Sequence, residues 1–265
     1  MRKLKHCQIL ILFLLLLFLS FCKTEVKEEK IPVTTKSETA KELYMKAYKA
    51  GEQVELAKAR DLYEKALKED PDFFMAYYQM ATYDLYFGNE ESFKEYAGKA
   101  VKCEYDLSKG EELLKNALKE FLEDTKADVT EIGEELVSIY PKDKDAYFYL
   151  YFFQYIIGNY EGGVLTLKKV IEIAENQAPI YNTLGYAYIQ LEQFEDAKFA
   201  FDKYIELEPN LPNPYDSKGD YFMKVEEYGK AYESFMKAYD LDTTWTVSYN
   251  KALKAKEILD SLKQE

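Results

Sequence analysis

The sequence predicts an all-α solenoid of helix hairpins, on the strength of three observations. A 34-residue period runs from residue 40 to 245, with unit starts at 40, 74, 110, 144, 178 and 212 once two extra residues after the second unit are allowed for. Within each period, apolar residues recur at helical spacing in two blocks, as a pair of amphipathic helices requires. Small residues and a closing proline hold fixed places in those blocks, which lets two axes approach and then stops the second helix. One hairpin cannot bury its apolar face alone, so the pattern calls for stacked neighbours sharing a continuous core.

The chain opens with Arg2, Lys3 and Lys5, followed by an apolar run from Ile9 to Phe21 broken only by Ser20. The run is shorter than the roughly 20 residues of a transmembrane helix. A basic start before a short apolar stretch is the layout of an export signal. It ends in Leu19-Ser20-Phe21-Cys22, with polar chain directly after. This resembles a bacterial lipoprotein signal, where a Leu three residues before a Cys guides cleavage and the Cys receives lipid. Phe21 departs from that pattern, since a small residue is usual there. The resemblance implies a signal peptide over 1–21, lipidation at Cys22, and an exported protein anchored to a bacterial envelope membrane on its periplasmic or extracellular face. Residues 23–38, KTEVKEEKIPVTTKSE, contain four Lys, four Glu and no aromatic residue. Such a stretch cannot build a core, so 22–38 reads as the lipidated Cys and a flexible tether. Thr39 and Glu42 have the spacing of a capping box that opens the first helix.

Residues 178–211 form the clearest unit. Tyr181, Leu184, Gly185 and Tyr188 fall on one stripe of a first helix, Ala197 and Phe201 face it from a second, Gln193 to Glu195 make the joint, and Pro209 ends the hairpin. This arrangement resembles the tetratricopeptide repeat (TPR). The resemblance extends in register to six units, 40–73, 74–107, 110–143, 144–177, 178–211 and 212–245. It implies a right-handed TPR solenoid over 39–245. In the fourth unit, Tyr151 and Gly163 replace the two small packing residues. The third fits least, because Asn116, Asp124 and Gly133 break the pattern. In the sixth, Lys218 stands for Leu, and Asn213-Pro214 reads as an N-cap with Pro at the first helical position. Residues 246–265 read as a capping helix, with Ala252, Ala255, Ile258, Leu259 and Leu262 on one stripe.

Composition narrows the function. Three of the 35 Lys+Arg precede Cys22, while all 48 Asp+Glu follow it, so residues 22–265 carry a formal charge of −16. That balance repels nucleic acid and anionic lipid headgroups. The single histidine, His6, lies in the signal. Ser-His or Cys-His nucleophile pairs and His-containing zinc sites are thereby excluded from the remainder. With Cys22 lipidated, Cys103 has no disulfide partner within the chain, and its expected place is as a small apolar residue in a second helix. Asp143-Lys144-Asp145 fails as a calcium loop, because Phe148 stands where that loop needs Gly. Acid pairs such as Glu111-Glu112 and Glu134-Glu135 read as solvated helix faces. The expectation is a non-enzyme with no catalytic or metal residues and no cofactor.

What remains is surface. In the repeat, first helices line the concave side, and the stripe about 100° on from the core stripe faces the groove. In the first and second units this places Tyr44, Tyr48, Tyr78 and Tyr86 there. The third contributes Leu114, Leu118 and Phe121, and the fourth Phe148, Phe152 and Tyr155. The fifth contributes Asn182, Tyr186 and Gln190, and the sixth Asp216 and Asp220. The lining passes from aromatic to acidic, which suits an extended or helical peptide with apolar side chains and a Lys or Arg at the acidic end. The functional expectation is a lipid-anchored envelope adaptor for a protein or peptide partner. A regulatory or accessory subunit of an envelope enzyme and a passive structural lipoprotein are the alternatives.

Overall fold

The structure, a computed structural model, describes residues 29–263. Among them run thirteen helices: α1 (Glu38–Glu52), α2 (Leu56–Glu69), α3 (Phe74–Tyr86), α4 (Glu90–Ala100), α5 (Lys109–Glu123), α6 (Thr130–Ile139), α7 (Lys144–Ile156), α8 (Tyr160–Ile173), α9 (Ala178–Gln190), α10 (Phe194–Leu207), α11 (Pro212–Lys224), α12 (Tyr228–Leu241) and α13 (Thr246–Leu262). They pair as antiparallel hairpins, and α13 lies on α12. Cys22 and the apolar run before it lie outside the described residues.

The hairpin turns repeat one piece of backbone chemistry. Val54, Gly88, Gly158, Glu192 and Glu226 all have positive φ, between 56° and 76°. The next amide in each case reaches back to a carbonyl five residues earlier, for example Asn89 to Asp84 at 2.8 Å and Gln193 to Tyr188 at 2.9 Å. A left-handed residue thus lets the chain cap its own helix end before turning into the next one. The third unit lacks this turn and crosses from α5 to α6 through residues 124–129.

Helix approach within a hairpin depends on missing side chains. A Cβ on Gly185 would stand 2.6 Å from the Phe201 ring, and one on Gly219 would stand 2.5 Å from Phe235. In the fourth unit the roles are exchanged: Tyr151 is the large partner, and a Cβ on Gly163 would meet it at 3.2 Å. Gly133, which breaks the repeat pattern, has a different partner. Its α6 packs more closely on α7 than on α5, and a Cβ there would come within 2.9 Å of the Leu150 backbone.

Helix starts differ from the sequence expectation in two places. Ser37, not Thr39, caps α1, its hydroxyl accepting the Ala40 amide at 3.2 Å. Helix α11 begins at Pro212 after Leu211, so Asn213 is inside it and donates to the Tyr204 hydroxyl at 2.9 Å. The capping box belongs to α5, where Ser108 and Glu111 bond reciprocally.

The expected tether is corrected at its distal end. The Ile31 amide donates to Asp143 at 2.8 Å, and the Thr34 amide and hydroxyl both donate to Glu111, at 2.7 and 2.6 Å. The Thr35 hydroxyl and Lys36 amide both donate to Asp70. Ile31 is buried against Gly110 and Tyr140. Buried carboxylates on two units, Asp70 on the first and Glu111 and Asp143 on the third, therefore hold residues 31–36 as an extended strap. Glu111 is consequently no solvated acid but a fully buried one.

Candidate functional site

The array curves tightly enough for the fourth unit to meet the first and second. The Tyr48 hydroxyl donates to Asp145, and Lys144 pairs with Glu52. The Gln79 amide lies between the Tyr44 and Tyr149 hydroxyls, at 3.4 and 3.3 Å. Tyr86 stacks on Tyr155 with ring centroids 5.0 Å apart. Helix α7 therefore faces α1 and α3 across the concave side.

Two adjoining cavities lie along this contact. The first, about 290 Å³, is lined by aromatic side chains of the first, second and fourth units, including Tyr63, Tyr78, Tyr83, Tyr86, Phe148 and Phe152. The second, about 320 Å³, lies toward the fifth unit and is bounded by Tyr48, Asp145, Phe148, Tyr149, Ile180 and Thr183. Gly51, Tyr63, Gln79, Phe148 and Tyr149 belong to both walls. Burial pushes the hydroxyls of Tyr44, Tyr78 and Tyr149 well above the ordinary phenol range and keeps them neutral, and those of Tyr44 and Tyr149 accept from the Gln79 amide. Burial also raises the Asp145 carboxyl, against the lowering effect of the Tyr48 hydrogen bond.

The structure separates the expected partner-binding residues into four groups. Tyr48, Tyr78, Tyr86, Phe148 and Phe152 line the cavities, and Tyr155 backs them through its stack on Tyr86. Tyr44 does not face a groove. It is buried against Tyr63 and Phe73, with centroids 5.5 and 5.2 Å away, and Leu114, Leu118 and Phe121 are likewise fully buried. The physical reason is that Tyr63 of the second helix of its own hairpin and Phe73 before α3 close over Tyr44, while α5 packs beside α3. Gln190 is exposed at the end of α9, and Asn182 is half-buried with a side-chain oxygen that has no partner among the described residues.

The acidic end is the clearest correction. Asp216 and Asp220 do not await a ligand cation. Lys251 of α13 contacts them at 2.8 and 2.9 Å. Ser248 donates to Asp216 at 2.6 Å, and Tyr186 donates to Asp220 at 2.9 Å. Burial works against the Lys251 charge, but Asp220 and Asp216 outweigh it and raise its pKa. Tyr186, whose ring also lies edge-on to Phe201 at 5.2 Å, belongs to this closed network.

Sequence reasoning missed Gln79 and Tyr149, which lie one position beyond Tyr78 and Phe148 of the expected stripe, and Tyr83, one turn along from Gln79 on α3. The available signal was positional, since Gln79 and Tyr149 occupy the same place in the second and fourth units. It also missed Tyr63, which comes from a second helix. Cys103 lies just past the end of α4 rather than in it. It is buried, and burial pushes its thiol up to about 12, which leaves it unreactive. Among the described residues, no group of three or more His, Cys, Asp or Glu side chains could hold a metal ion.

Residues 178–211 match the family description "Tetratricopeptide repeat". No curated relative matches the sequence significantly. Among solved structures, a thermophilic TPR protein of Thermus thermophilus is 16% identical. The match covers 82% of this chain and 98% of that one with a TM-score of 0.51. PilW, described as a type IV pilus biogenesis factor, is 17% identical over 82% of this chain and 99% of its own, with a TM-score of 0.48. MamA is 20% identical over 64% and 92%, with a TM-score of 0.43. At these identities the likeness is one of fold, and the fold is all-α and TPR-like.

Proposed function

We propose that the chain is a non-catalytic adaptor that binds a protein or peptide partner on its concave face and is tethered to a bacterial envelope membrane through lipid on Cys22. The observation that carries the binding part is the pair of aromatic cavities where α7 faces α1 and α3. Concave sites with rigid rings and few polar groups are where apolar anchors of a partner gain most. The partner presents apolar side chains toward Phe148 and Phe152. A cationic residue is not required of it, because Lys251 already neutralises Asp216 and Asp220. The anchor part rests on the spacing of Leu19 and Cys22 and on the polar chain that follows.

Photo-crosslinking from position 148 in the native envelope, followed by mass spectrometry, tests the binding. The expected result is a discrete protein adduct that is absent when the crosslinker sits at exposed Phe199 on α10. Adducts from position 199 alone would move binding to the second helices. For the anchor, Cys22→Ala is expected to abolish fatty-acid labelling, and labelling that persists would overturn it.

A further inference from the structure

The strap sets where the chain leaves the body. The Ile31 amide donates to one oxygen of Asp143 at 2.8 Å, and the other oxygen accepts the Asp145 amide at 3.1 Å and caps α7. The Ile31 side chain is buried where residue 110 has none of its own. A Cβ on Gly110 would stand 2.9 Å from Ile31 and 3.0 Å from the Tyr140 ring. From there the chain passes Glu111 and then Asp70 before α1 begins. The exit is therefore beside the loop that joins the third unit to the fourth, midway along the array, and not at its first unit.

Lengths decide what this does. Ile31 is nine residues past Cys22, and Ser37, which caps α1, is fifteen past it. Fully extended chain spans about 3.6 Å per residue, so the two reaches are at most about 32 Å and about 54 Å. A compact body of this length has a radius of gyration of about 17 Å and is about 45 Å across. The longer reach, fixed at the first unit, exceeds that width and lets any face turn toward the surface that holds Cys22. The shorter reach, fixed at Ile31, falls below it, so the exit cannot lie on the far side of the body.

Charge agrees with this placement. The chain from Cys22 on carries −16, yet beside the exit Lys142 pairs with Glu29 at 3.7 Å and Lys109 with Glu135 at 2.9 Å, and Lys30 is exposed. A nearly neutral surface approaches anionic headgroups without the repulsion that the rest of the chain meets.

Resting on the anchor reading, we propose that the loops at residues 105–110 and 140–144 form the face that the protein turns to the phospholipid surface, and that the strap holds it there.

The test uses the full lipidated chain in vesicles of phosphatidylethanolamine and phosphatidylglycerol that carry an acceptor dye on their headgroups. A donor dye is attached at Lys142→Cys, by the exit, or at Lys126→Cys, while buried Cys103 stays unlabelled. Lys126 lies past the opposite end of α5 from Lys109, and that helix of 15 residues is about 22 Å long. Energy transfer is expected to be about two-fold or more stronger from position 142 than from position 126, given that separation. Two changes should bring the ratio toward one. Ile31→Asp places a charge against Gly110 and Tyr140 and frees the strap without altering the body. An insertion of about 16 Gly and Ser residues before Glu29 keeps the strap and lengthens the reach. Circular dichroism checks that each variant stays folded. Equal transfer from both positions, stronger transfer from position 126, or a ratio unchanged in both Ile31→Asp and the lengthened chain would each overturn the proposal. Flotation with the vesicles and fatty-acid labelling are scored separately. A chain that floats and takes label but shows no difference between positions overturns the orientation alone. A chain that neither floats nor takes label overturns the anchor reading and the orientation with it.

Discussion

The carboxylate of Glu111 accepts both the amide and the hydroxyl of Thr34, at 2.7 and 2.6 Å, across 77 residues of sequence. The same carboxylate accepts the Ser108 amide at 2.9 Å and so caps α5. One buried acid thus fastens the strap and starts a helix. Glu111→Ala strands several donors at once and is expected to cost about 2 kcal/mol or more, against about 1 kcal/mol for Thr34→Val. Urea unfolding measures both. Faster amide exchange at Ile31 and Thr34 would show that the strap is the part released.

Acid should loosen the strap through Asp70. Burial alone would raise this carboxyl, but hydrogen bonds from the Thr35 and Tyr105 hydroxyls and from the Asp72 and Lys36 amides outweigh burial and lower it. A lowered folded-state pKa means that the stabilisation is fully present above the unfolded value, about 3.9, and is lost as pH falls through the folded value. Amide exchange at Lys36, compared with base-catalysed expectation, is therefore expected to accelerate only below about pH 4. In Asp70→Asn that acid-dependent step is expected to disappear.

Gly185 and Gly98 should respond oppositely to alanine. A Cβ at Gly185 would lie 2.6 Å from the buried Phe201 ring, so Gly185→Ala is expected to cost about 1–3 kcal/mol by overpacking. Gly98 is inside α4 with nothing within 4 Å of its added Cβ, and Gly98→Ala is expected to stabilise by about 0.5–1 kcal/mol. Thermal melting of the two variants distinguishes them by sign.

These contrasts also show what was legible in the chain. The 34-residue register located the hairpins because each unit repeats the same packing need, as at Gly185 with Phe201 and Gly219 with Phe235. Tyr151 and Gly163 were readable as departures, but that each compensates the other becomes clear only when α7 lies on α8. The site was less legible because it depends on curvature. A stripe taken from one repeat cannot say that the fourth unit meets the first, so it passed over Tyr63 and Tyr149, nor that Tyr63 and Phe73 close over Tyr44, which it placed in a groove. The strap escaped for a related reason. Its composition is that of a tether, and its order comes from Asp70, Glu111 and Asp143, which are far away in sequence.

The last hairpin depends on Lys251 for its electrostatic balance. Lys251→Met removes the cation shared by Asp216 and Asp220 and leaves two carboxylates facing each other under partial burial. Removing one member of a buried ion pair typically costs about 3–5 kcal/mol. Lys251 is about one-third exposed, so solvent screening brings the expectation to about 1–3 kcal/mol. The triple change Lys251→Met, Asp216→Asn, Asp220→Asn is expected to recover much of that loss in urea unfolding.

Phe152 and Tyr186 were placed on the same stripe by sequence, and the structure gives them different work. Phe152 is half-buried, lies edge-on to Phe121 at 6.2 Å and lines the first cavity. Tyr186 packs on Phe201 and donates to Asp220, which Lys251 also holds. On the adaptor reading, Phe152→Ala removes a central aromatic anchor and is expected to weaken a partner recovered by crosslinking by about 2 kcal/mol, roughly 30-fold. Tyr186→Ala is expected to act mainly on stability, because it opens a closed network, and to change affinity less than three-fold. Both variants are first matched to the wild type by circular dichroism and then titrated with the partner at two salt concentrations. The Phe152→Ala loss should persist at high salt, since it comes from apolar contact rather than from screened charge. A larger affinity loss for Tyr186→Ala than for Phe152→Ala would move the partner's seat from the aromatic cavities to the α9–α13 end of the array.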